Sequence, residues 1–171
     1  ITGAVVHSRS SDLDLFFCLA MAEYLGATRD MAFLDEVLPY YPGKTTRSGT
    51  VLEHIRASFQ HLVRRVGLGP HGLVRCGTGD WNDLLIGLSR FSPWMLLRGE
   101  SALNAGLTTL ALPALADAMD MKDVGFAAAL RAYAAAQARA LRPLWTGQWT
   151  ARCYRGRGGA NQSGQRVYQS A

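Results

Sequence analysis

The alanine-rich segment from about Lys122 to Leu141 is the feature that most limits the fold of this chain. Alanine has the highest helix propensity, so the segment predicts one long helix, and its small side chains allow another helix to pack closely against it. The segment before it, from about Ser101 to Ala118, predicts a second long helix with a kink at Pro113. Two long helices in succession indicate a mostly helical architecture.

A third helix is predicted near the start of the chain. Ser10 or Ser11 can cap its first turn, it runs to about Leu25, and Gly26 is expected to end it. Its apolar residues recur at helical spacing, which predicts one buried face. The residues expected on that face are Leu13, Phe16, Phe17, Ala20 and Tyr24.

The start of a fourth predicted helix is defined by a capping motif. Thr50 and Glu53 form a capping box, in which each side chain satisfies the free backbone N–H of the other residue, and Gly67 is expected to end the helix. A shorter helix is predicted from about Met31 to Leu38, ended by Pro39. The apolar face of the fourth helix is expected to hold Leu52, Ile55, Phe59, Leu62, Val63 and Val66.

Short extended pieces are predicted at residues 73–75 and 148–154, on either side of the two long helices. The residues 67–72 spell GxGxxG, but they follow a helix and contain Pro70, so a loop is a better interpretation than a dinucleotide fingerprint. His71 lies near the chemistry described below, where a substrate contact is the less favoured interpretation. His54 and His61 are expected to be solvated, and no histidine spacing predicts a metal site.

Composition places few limits on function. A chain of 171 residues is one domain or part of one, and a net charge of +5 permits attraction to phosphate but does not by itself argue for nucleic acid. Three scattered cysteines without a CxxC pair favour reduced thiols in a cytoplasmic protein, with Cys18 packed in the core. The start at Ile1 lacks a signal-peptide pattern, and the longest apolar run, at residues 15–22, is too short to span a membrane.

The chemistry concentrates in residues 76–83, where a glycine-rich turn leads into Asp80, Trp81, Asn82 and Asp83. Aromatic faces stack on sugar rings, carboxylates and amides bond sugar hydroxyls, and one carboxyl can protonate a departing glycosidic oxygen. A carbohydrate site is therefore the leading hypothesis. Spacing alone slightly favours the alternative, a capped turn with a buried Trp anchor, because Asp and Asn favour turns and helix starts.

Further segments resemble the inverting glycoside phosphorylases of glycoside hydrolase family 94, which includes cellobiose and chitobiose phosphorylases and the C-terminal region of cyclic β-1,2-glucan synthases. Their order and spacing match that family up to about Tyr154. The matching segments are residues 9–16, 22–30, 34–36, 69–73, 79–83, 99–101 and 149–154.

The resemblance implies an all-α fold, an incomplete (α/α)6 toroid of helical hairpins with short extended segments near the active-site turn. It implies that Asp83 matches the general acid of the family and that Trp81 borders the bound sugar. Arg9 and Asp12 lie in a matching segment without a defined role. The expected substrate-binding residues are Trp81, Asp80, Asn82, Arg9 and Asp12.

Two positions depart from the family pattern: Leu84 stands where glycine is usual, and Leu13 replaces the second Asp of a Ser-Asp-Asp core. The Arg-Asp sugar-binding motif of the family would lie before Ile1, and its phosphate-binding His and Thr would lie after Ala171. We therefore expect residues 1–154 to be the middle part of a catalytic domain, with residues 155–171 as a polar, glycine-rich and loose end.

The spacing of the acidic residues fits phosphorolysis. An inverting hydrolase needs an acid and a base roughly 6.5–9.5 Å apart, whereas Asp80 and Asp83 lie on one turn. A phosphorylase needs only one carboxyl, because inorganic phosphate is itself the nucleophile. Asp83 would protonate the glycosidic oxygen, phosphate would attack from the other face, and an inverted sugar 1-phosphate would form.

The expected partners are therefore a β-linked gluco-oligosaccharide and phosphate, with no metal and no cofactor beyond phosphate as co-substrate. The Arg-Gly tract at residues 155–159 is too short to favour nucleic acid, no membrane contact is predicted for this segment, and a homodimer of the parent protein stays open. Two alternatives remain: an inverting hydrolase on the same toroid, or a helical module that binds glycans or partners without turnover.

Overall fold

The computed structural model describes residues 11–40, 47–77, 97–148 and 150–154. Within them the chain is mostly helical, with a few short strands, which agrees with the predicted all-α class. The four α-helices are α1 (Asp12–Thr28), α2 (Val51–His61), α3 (Ala102–Met119) and α4 (Val124–Leu141). The four strands are β1 (Val37–Pro39), β2 (Ser48–Thr50), β3 (Glu100–Ser101) and β4 (Cys153–Tyr154).

Helix α1 differs from its prediction at both ends. The Ser11 side chain makes no capping hydrogen bond, and the helix continues past Gly26 to Thr28. It ends at Arg29, which adopts a left-handed conformation with φ 59° and whose N–H bonds the carbonyl of Leu25. Gly26 is therefore an ordinary helical residue, and the left-handed role that glycine usually fills falls to an arginine.

The predicted buried face of α1 was wrong. Leu13 is 61% exposed and Phe16 is 51% exposed, and Tyr24 and Ala20 also face outward. Only Phe17 of the predicted set packs against the core. The middle of the helix is apolar on nearly every side, so periodicity alone could not select the face that α3 and α2 cover. The buried residues are Leu15, Cys18, Met21, Ala22 and Leu25.

The segment after α1 is only partly helical. A 3-10 turn at Met31–Asp35, capped by Asp30 through Phe33 N–H, gives way to β1, which pairs antiparallel with β2. The helix predicted to reach Leu38 is thus shorter, because residues Val37–Pro39 pair with β2 as a strand. Pro39 lies at the end of a two-stranded edge, where a missing N–H is tolerated.

Helix α2 confirms the capping box: Glu53 N–H donates to Thr50 Oγ1 at 3.1 Å and Thr50 N–H donates to Glu53 Oε2 at 2.7 Å. The helix continues as a π-helical turn over Leu62–Val66 and ends at Gly67, as predicted, with φ 70°. Most of the predicted apolar face is buried or packed on the core, whereas Val63 is 38% exposed.

Helices α3 and α4 pack along each other, and α1 packs against α3. Ser101 caps α3 through Asn104 N–H, and Asp123 caps α4 through Phe126 N–H. Alanines at the α3–α4 contact allow the close approach that the alanine-rich sequence predicts. The largest buried side chains of this layer are Leu112, Leu115, Met119, Leu130 and Gln137.

The α3 helix begins beside a small ladder of extended segments. Glu100 and Ser101 pair antiparallel with Tyr154 and Cys153, and Glu100 also forms a bridge with Arg75. The bridges of Val74 and Arg75 and the strand Cys153–Tyr154 confirm in part the extended pieces predicted at residues 73–75 and 148–154, of which residue 149 lies outside the described residues. Among the described residues, no helix is long and apolar enough to cross a membrane.

Candidate functional site

The loop between α2 and the ladder is shaped by glycines. Gly67, Gly72 and Gly77 have φ values of 70°, 83° and 64°, in the left-handed region that glycine adopts without strain. Gly69 has a different role, because a Cβ atom at this position would overlap the side chain of Glu100. The predicted loop is confirmed, and its glycines let the backbone fold closely around one carboxylate.

That carboxylate belongs to Glu100, which is fully buried. Its Oε2 accepts hydrogen bonds from His71 N–H at 3.1 Å and from Leu73 N–H at 3.0 Å. Its Oε1 lies 2.6 Å from His71 Nδ1, which must donate because the carboxylate accepts. A buried charge is costly unless it is paired and hydrogen-bonded, and here three N–H groups satisfy that requirement.

The His71 ring is held on its second side by Tyr154. The two rings stack nearly parallel, with centroids 3.7 Å apart and planes 8° apart. Burial, and then the negative charge of Glu100, raise the pKa of Tyr154, so its hydroxyl stays protonated at neutral pH. His71 keeps about a quarter of its side chain exposed. The ring is thus fixed in orientation by Glu100 and Tyr154 and retains access to solvent.

Gln137 of α4 binds the backbone of the same loop through two side-chain hydrogen bonds. Its Oε1 accepts from Val74 N–H at 2.9 Å, and its Nε2 donates to the carbonyl of Gly72 at 2.9 Å. Gln137 is fully buried. The loop is therefore held by a buried glutamate on one side and by a buried glutamine on the other.

Residues 74–77 follow the loop and precede the segment that contains the predicted site residues. Val74 carbonyl accepts from Ser101 N–H at 2.9 Å, and Cys76 N–H donates to Gly99 carbonyl at 2.8 Å. Gly77 is the last described residue before residues 78–96, and Gly99 follows soon after them. The two chain ends that flank the segment containing Asp83 are therefore hydrogen-bonded side by side.

The start of α1 is joined to this ladder through the first turn of α3. Asn104 Nδ2 donates to Ser11 Oγ at 2.6 Å, and Asn104 N–H donates to Ser101 Oγ at 3.0 Å. Ser11, Ser101 and Asn104 are fully buried. Two segments singled out in the sequence, around Ser11 and around Glu100, thus meet in the fold although they are far apart along the chain.

Of the predicted site residues, only Asp12 lies in the part of the chain that the structure describes. Asp12 lies in the first turn of α1, next to the buried Ser11. The next carboxylate along the helix, Asp14, accepts from Ser58 Oγ at 2.9 Å and from His61 Nδ1 at 2.7 Å. The other predicted residues lie outside the described residues: Arg9, Asp80, Trp81, Asn82 and Asp83.

The prediction that His54 and His61 are merely solvated was wrong. His61 pairs with Asp14, which joins α2 to α1. His54 Nε2 lies 3.1 Å from the carbonyl of Leu38, and its ring stacks on Tyr40. Within the described ranges, no group of three His, Cys, Asp or Glu side chains could hold a metal ion.

A concavity of about 650 Å³ lies between α1, α3, the end of α4 and the residues after it. Its wall is mostly apolar and includes Phe16, Leu103, Leu107 and Leu110. Sugar hydroxyls need hydrogen-bonding partners, which such a wall supplies poorly. The polar ladder around Glu100, rather than this concavity, is the base of the candidate site.

A mostly helical chain, whose short polar ladder flanks an Asp-Trp-Asn-Asp segment, has the features of a carbohydrate-active catalytic domain built from helices. The family model described as "Glycosyl hydrolase 94 superfamily, catalytic domain" matches residues 2–169. The chain belongs to this family, which confirms the resemblance seen in the sequence.

A curated relative is the solabiose phosphorylase of Paenibacillus borealis, which is 37% identical over 78 residues. The match covers 46% of this chain and 10% of the relative. This chain therefore corresponds to a small part of the length of that protein.

Sequence reasoning missed Glu100 and Gln137 as parts of the site. Glu100 was noted only within a matching segment, and Gln137 was one residue of an alanine-rich helix. Gln137 offered a signal, because it is a polar residue among alanines in a predicted helix, whereas Glu100 lies between Arg98 and Ser101 in a polar stretch and offered none. A buried polar residue must find partners, and a glycine-rich loop with free N–H groups is a natural partner.

Proposed function

We propose that this chain is a section of the catalytic domain of an inverting glycoside phosphorylase that cleaves β-linked gluco-oligosaccharides with inorganic phosphate. The observation that carries the proposal is the family match over residues 2–169, with Asp83 as the last residue of an Asp-Trp-Asn-Asp segment. The phosphorylase named among its relatives supports phosphate over water as the nucleophile.

In this mechanism Asp83 donates its proton to the glycosidic oxygen while phosphate attacks the anomeric carbon from the opposite face. The bond from carbon to the leaving sugar breaks, the bond to phosphate forms, and a sugar 1-phosphate of inverted configuration results. Trp81 would border the sugar, and Asp80 and Asn82 would bond its hydroxyls. No cofactor is needed besides phosphate.

The described part of the chain supports this proposal through the hydrogen bonds that hold the two ends of the segment with Asp83. General acid catalysis requires the proton donor to lie within hydrogen-bonding distance of the leaving oxygen, so the donor needs a fixed support. The ladder at Cys76 and Gly99 and the clamps by Glu100 and Gln137 provide such a support next to residues 78–96. We propose that helices α1 to α4 belong to one part of an (α/α)6 toroid, with residues 1–154 in its middle.

The test uses the complete polypeptide that carries this chain, incubated with β-linked gluco-disaccharides and phosphate. The expected product is a sugar 1-phosphate whose formation depends on phosphate. Asp83→Asn should lower its rate by about 10²–10⁴-fold, as expected for loss of a general acid. Asp35→Asn is the matched control, because Asp35 is an exposed carboxylate at the end of the 3-10 turn that pairs with Lys122.

Full activity of Asp83→Asn would contradict the assignment of the acid. Release of free sugar at a rate independent of phosphate would identify a hydrolase instead. Sugar binding by calorimetry without any product on long incubation would identify a binding module.

A further inference from the structure

We propose that the apolar concavity between α1, α3 and the end of α4 is the docking surface for another helix of the same polypeptide, seated over Gly106. Phe16 of α1 and Leu103, Leu107 and Leu110 of α3 form much of its wall. This assignment rests on one part of the proposed function, that the chain is a section of a longer catalytic domain, and not on the reaction that the domain catalyses.

Helix α3 has the composition of a helix that is covered on every side. Residues 102–116 contain no charged side chain, and the first charge in the helix is Asp117. A helix at the surface of a soluble protein carries charged and polar residues along one face, whereas a helix without such a face lies in a core. Helices α1 and α4 pack against α3. Among the described residues, the side of α3 that faces the concavity is left uncovered.

The uncovered side of α3 is a continuous stripe, formed by Leu103, Gly106, Leu107 and Leu110. These residues follow one another at intervals of three and four positions, so they lie along one line of the helix. Leu103 is 43% exposed and Leu110 is 62% exposed, and the half-exposed ring of Phe16 extends the stripe onto α1. Single exposed apolar residues need no explanation, but a contiguous group that lines a concavity marks a surface for a partner.

Gly106 makes a helix the fitting occupant of this surface. It lies inside α3, where glycine is less favourable than alanine, and a Cβ atom at this position would meet nothing within 4 Å. Packing among the described residues therefore does not explain a glycine here. A residue without a side chain allows another backbone to approach closely, and the separation of two packed helices depends on the side chains at their contact.

A helix of the same polypeptide fits the concavity better than a second copy of the chain. Three helices form the wall together, and Leu107 and Leu141 both line the concavity and pack on the hydrophobic core, so the surface continues the interior. The solabiose phosphorylase is matched over 10% of its length, and a protein of that length would supply further helices. Arg142 lies exposed at the rim, which favours an acidic residue at the corresponding end of the occupant.

The experiment measures the accessibility of engineered thiols in the complete polypeptide that carries this chain. Leu110→Cys and Leu103→Cys place a thiol on the stripe, and Met121→Cys places one at a position that is 91% exposed. Each variant reacts with N-ethylmaleimide under native conditions and in urea, and peptide mass spectrometry follows the engineered thiol separately from the native cysteines. The ratio of the rate in urea to the native rate is the protection of that thiol.

A thiol beneath a docked helix reacts only when the structure opens, so Leu110→Cys and Leu103→Cys should be protected by about 10²-fold or more at every protein concentration. Met121→Cys should show little protection. Protection of both stripe thiols below about tenfold would overturn the proposal. Protection that disappears on dilution would overturn it as well, because the occupant would then be a second copy of the protein.

A second measurement does not depend on the cysteine variants. Gly106→Leu should lower the thermal midpoint of the complete polypeptide by about 2–6 °C, because the new side chain occupies the place of the docked helix. Gly26→Leu is the matched control: Gly26 is also helical with nothing within 4 Å of an added Cβ atom, but it lies on an exposed part of α1, so its midpoint should stay unchanged or rise. An unchanged or raised midpoint for Gly106→Leu would contradict a close approach at Gly106.

These results are separate from the test of the proposed function. If a sugar 1-phosphate forms but the stripe thiols react freely, the docking surface alone is wrong. If the stripe thiols are protected and no sugar 1-phosphate forms, the proposed reaction alone is wrong and the docking surface stands.

Discussion

Gln137 joins the last long helix to the loop before the candidate site, with its amide bonded to Val74 N–H and to Gly72 carbonyl at 2.9 Å each. Both backbone groups would otherwise need another partner in the interior. A single side chain thus fixes the distance between α4 and the glycine-rich loop. This contact, like the pairing of His71 with Glu100, spans residues that are far apart in the sequence.

Gln137→Leu should destabilise the protein by about 2–4 kcal/mol, because it leaves a buried donor and a buried acceptor without partners. Urea unfolding followed by circular dichroism measures the change. Gln60→Leu is the control, since Gln60 is exposed on α2 and its replacement should stay within about 0.5 kcal/mol. Equal stability of Gln137→Leu and the unmodified protein would show that the loop does not depend on α4.

Two glycine-to-alanine substitutions should have opposite effects on the stability of the protein. At Gly69 a methyl group would overlap Glu100, so Gly69→Ala should cost about 1–3 kcal/mol from overpacking at a tight site. At Gly26 nothing lies within 4 Å of the added methyl and the residue is helical, so Gly26→Ala should stabilise the protein by about 0.5–1 kcal/mol.

Thermal unfolding of both variants in the same buffer checks the pair. The midpoint should fall for Gly69→Ala and rise for Gly26→Ala. A Gly69→Ala variant as stable as the starting protein would mean that Glu100 is not held as closely by the loop as the geometry indicates.

Much of the helical framework could be predicted from the sequence, because it depends on local chemistry. The Thr50–Glu53 box, the end at Gly67 and the start at Ser101 are capping patterns contained within a few residues. The buried face of α1 could not be predicted in this way. Its core is apolar on nearly every side, and only the positions of α2 and α3 decide which residues are covered.

The base of the candidate site could be predicted only in part, for a similar reason. The loop character of residues 67–72 follows from its glycines and proline, and the Asp-Trp-Asn-Asp segment is visible in the sequence. The partners of the loop, Glu100 and Gln137, lie much further along the chain. No local pattern indicates that a glutamate before one helix and a glutamine within another meet the same loop.

Ser11→Ala should weaken the contact between the start of α1 and the first turn of α3. It removes the acceptor of Asn104 Nδ2 in a fully buried environment, which should cost about 1–3 kcal/mol. Ser48→Ala, at an exposed strand position, is the control and should change stability little. Chemical denaturation of the two variants makes the comparison, and similar midpoints would contradict the importance of the Ser11–Asn104 bond.

The pairing of Asp123 with Arg56 should make stability depend on pH in the acidic range. Hydrogen bonds from Arg56 and from the Phe126 N–H lower the pKa of Asp123 below its ordinary value of 3.8. A lowered pKa in the folded state means that the contribution to stability is present above pH 3.8 and is lost as the pH falls through the folded-state pKa. The pair is partly exposed and screened by water, so its contribution should be only about 0.5 kcal/mol.

Asp123→Asn keeps a side chain that can cap α4 but removes the charge, whereas Arg56→Gln removes the partner. Both variants should therefore be less stable than the unmodified protein by the same small increment between pH 5 and pH 7, and the difference should shrink as the pH falls through the lowered folded-state pKa of Asp123. Urea unfolding at each pH measures the difference. A gap that stays constant down to the lowest pH would show that the loss comes from packing or capping rather than from the charge of Asp123.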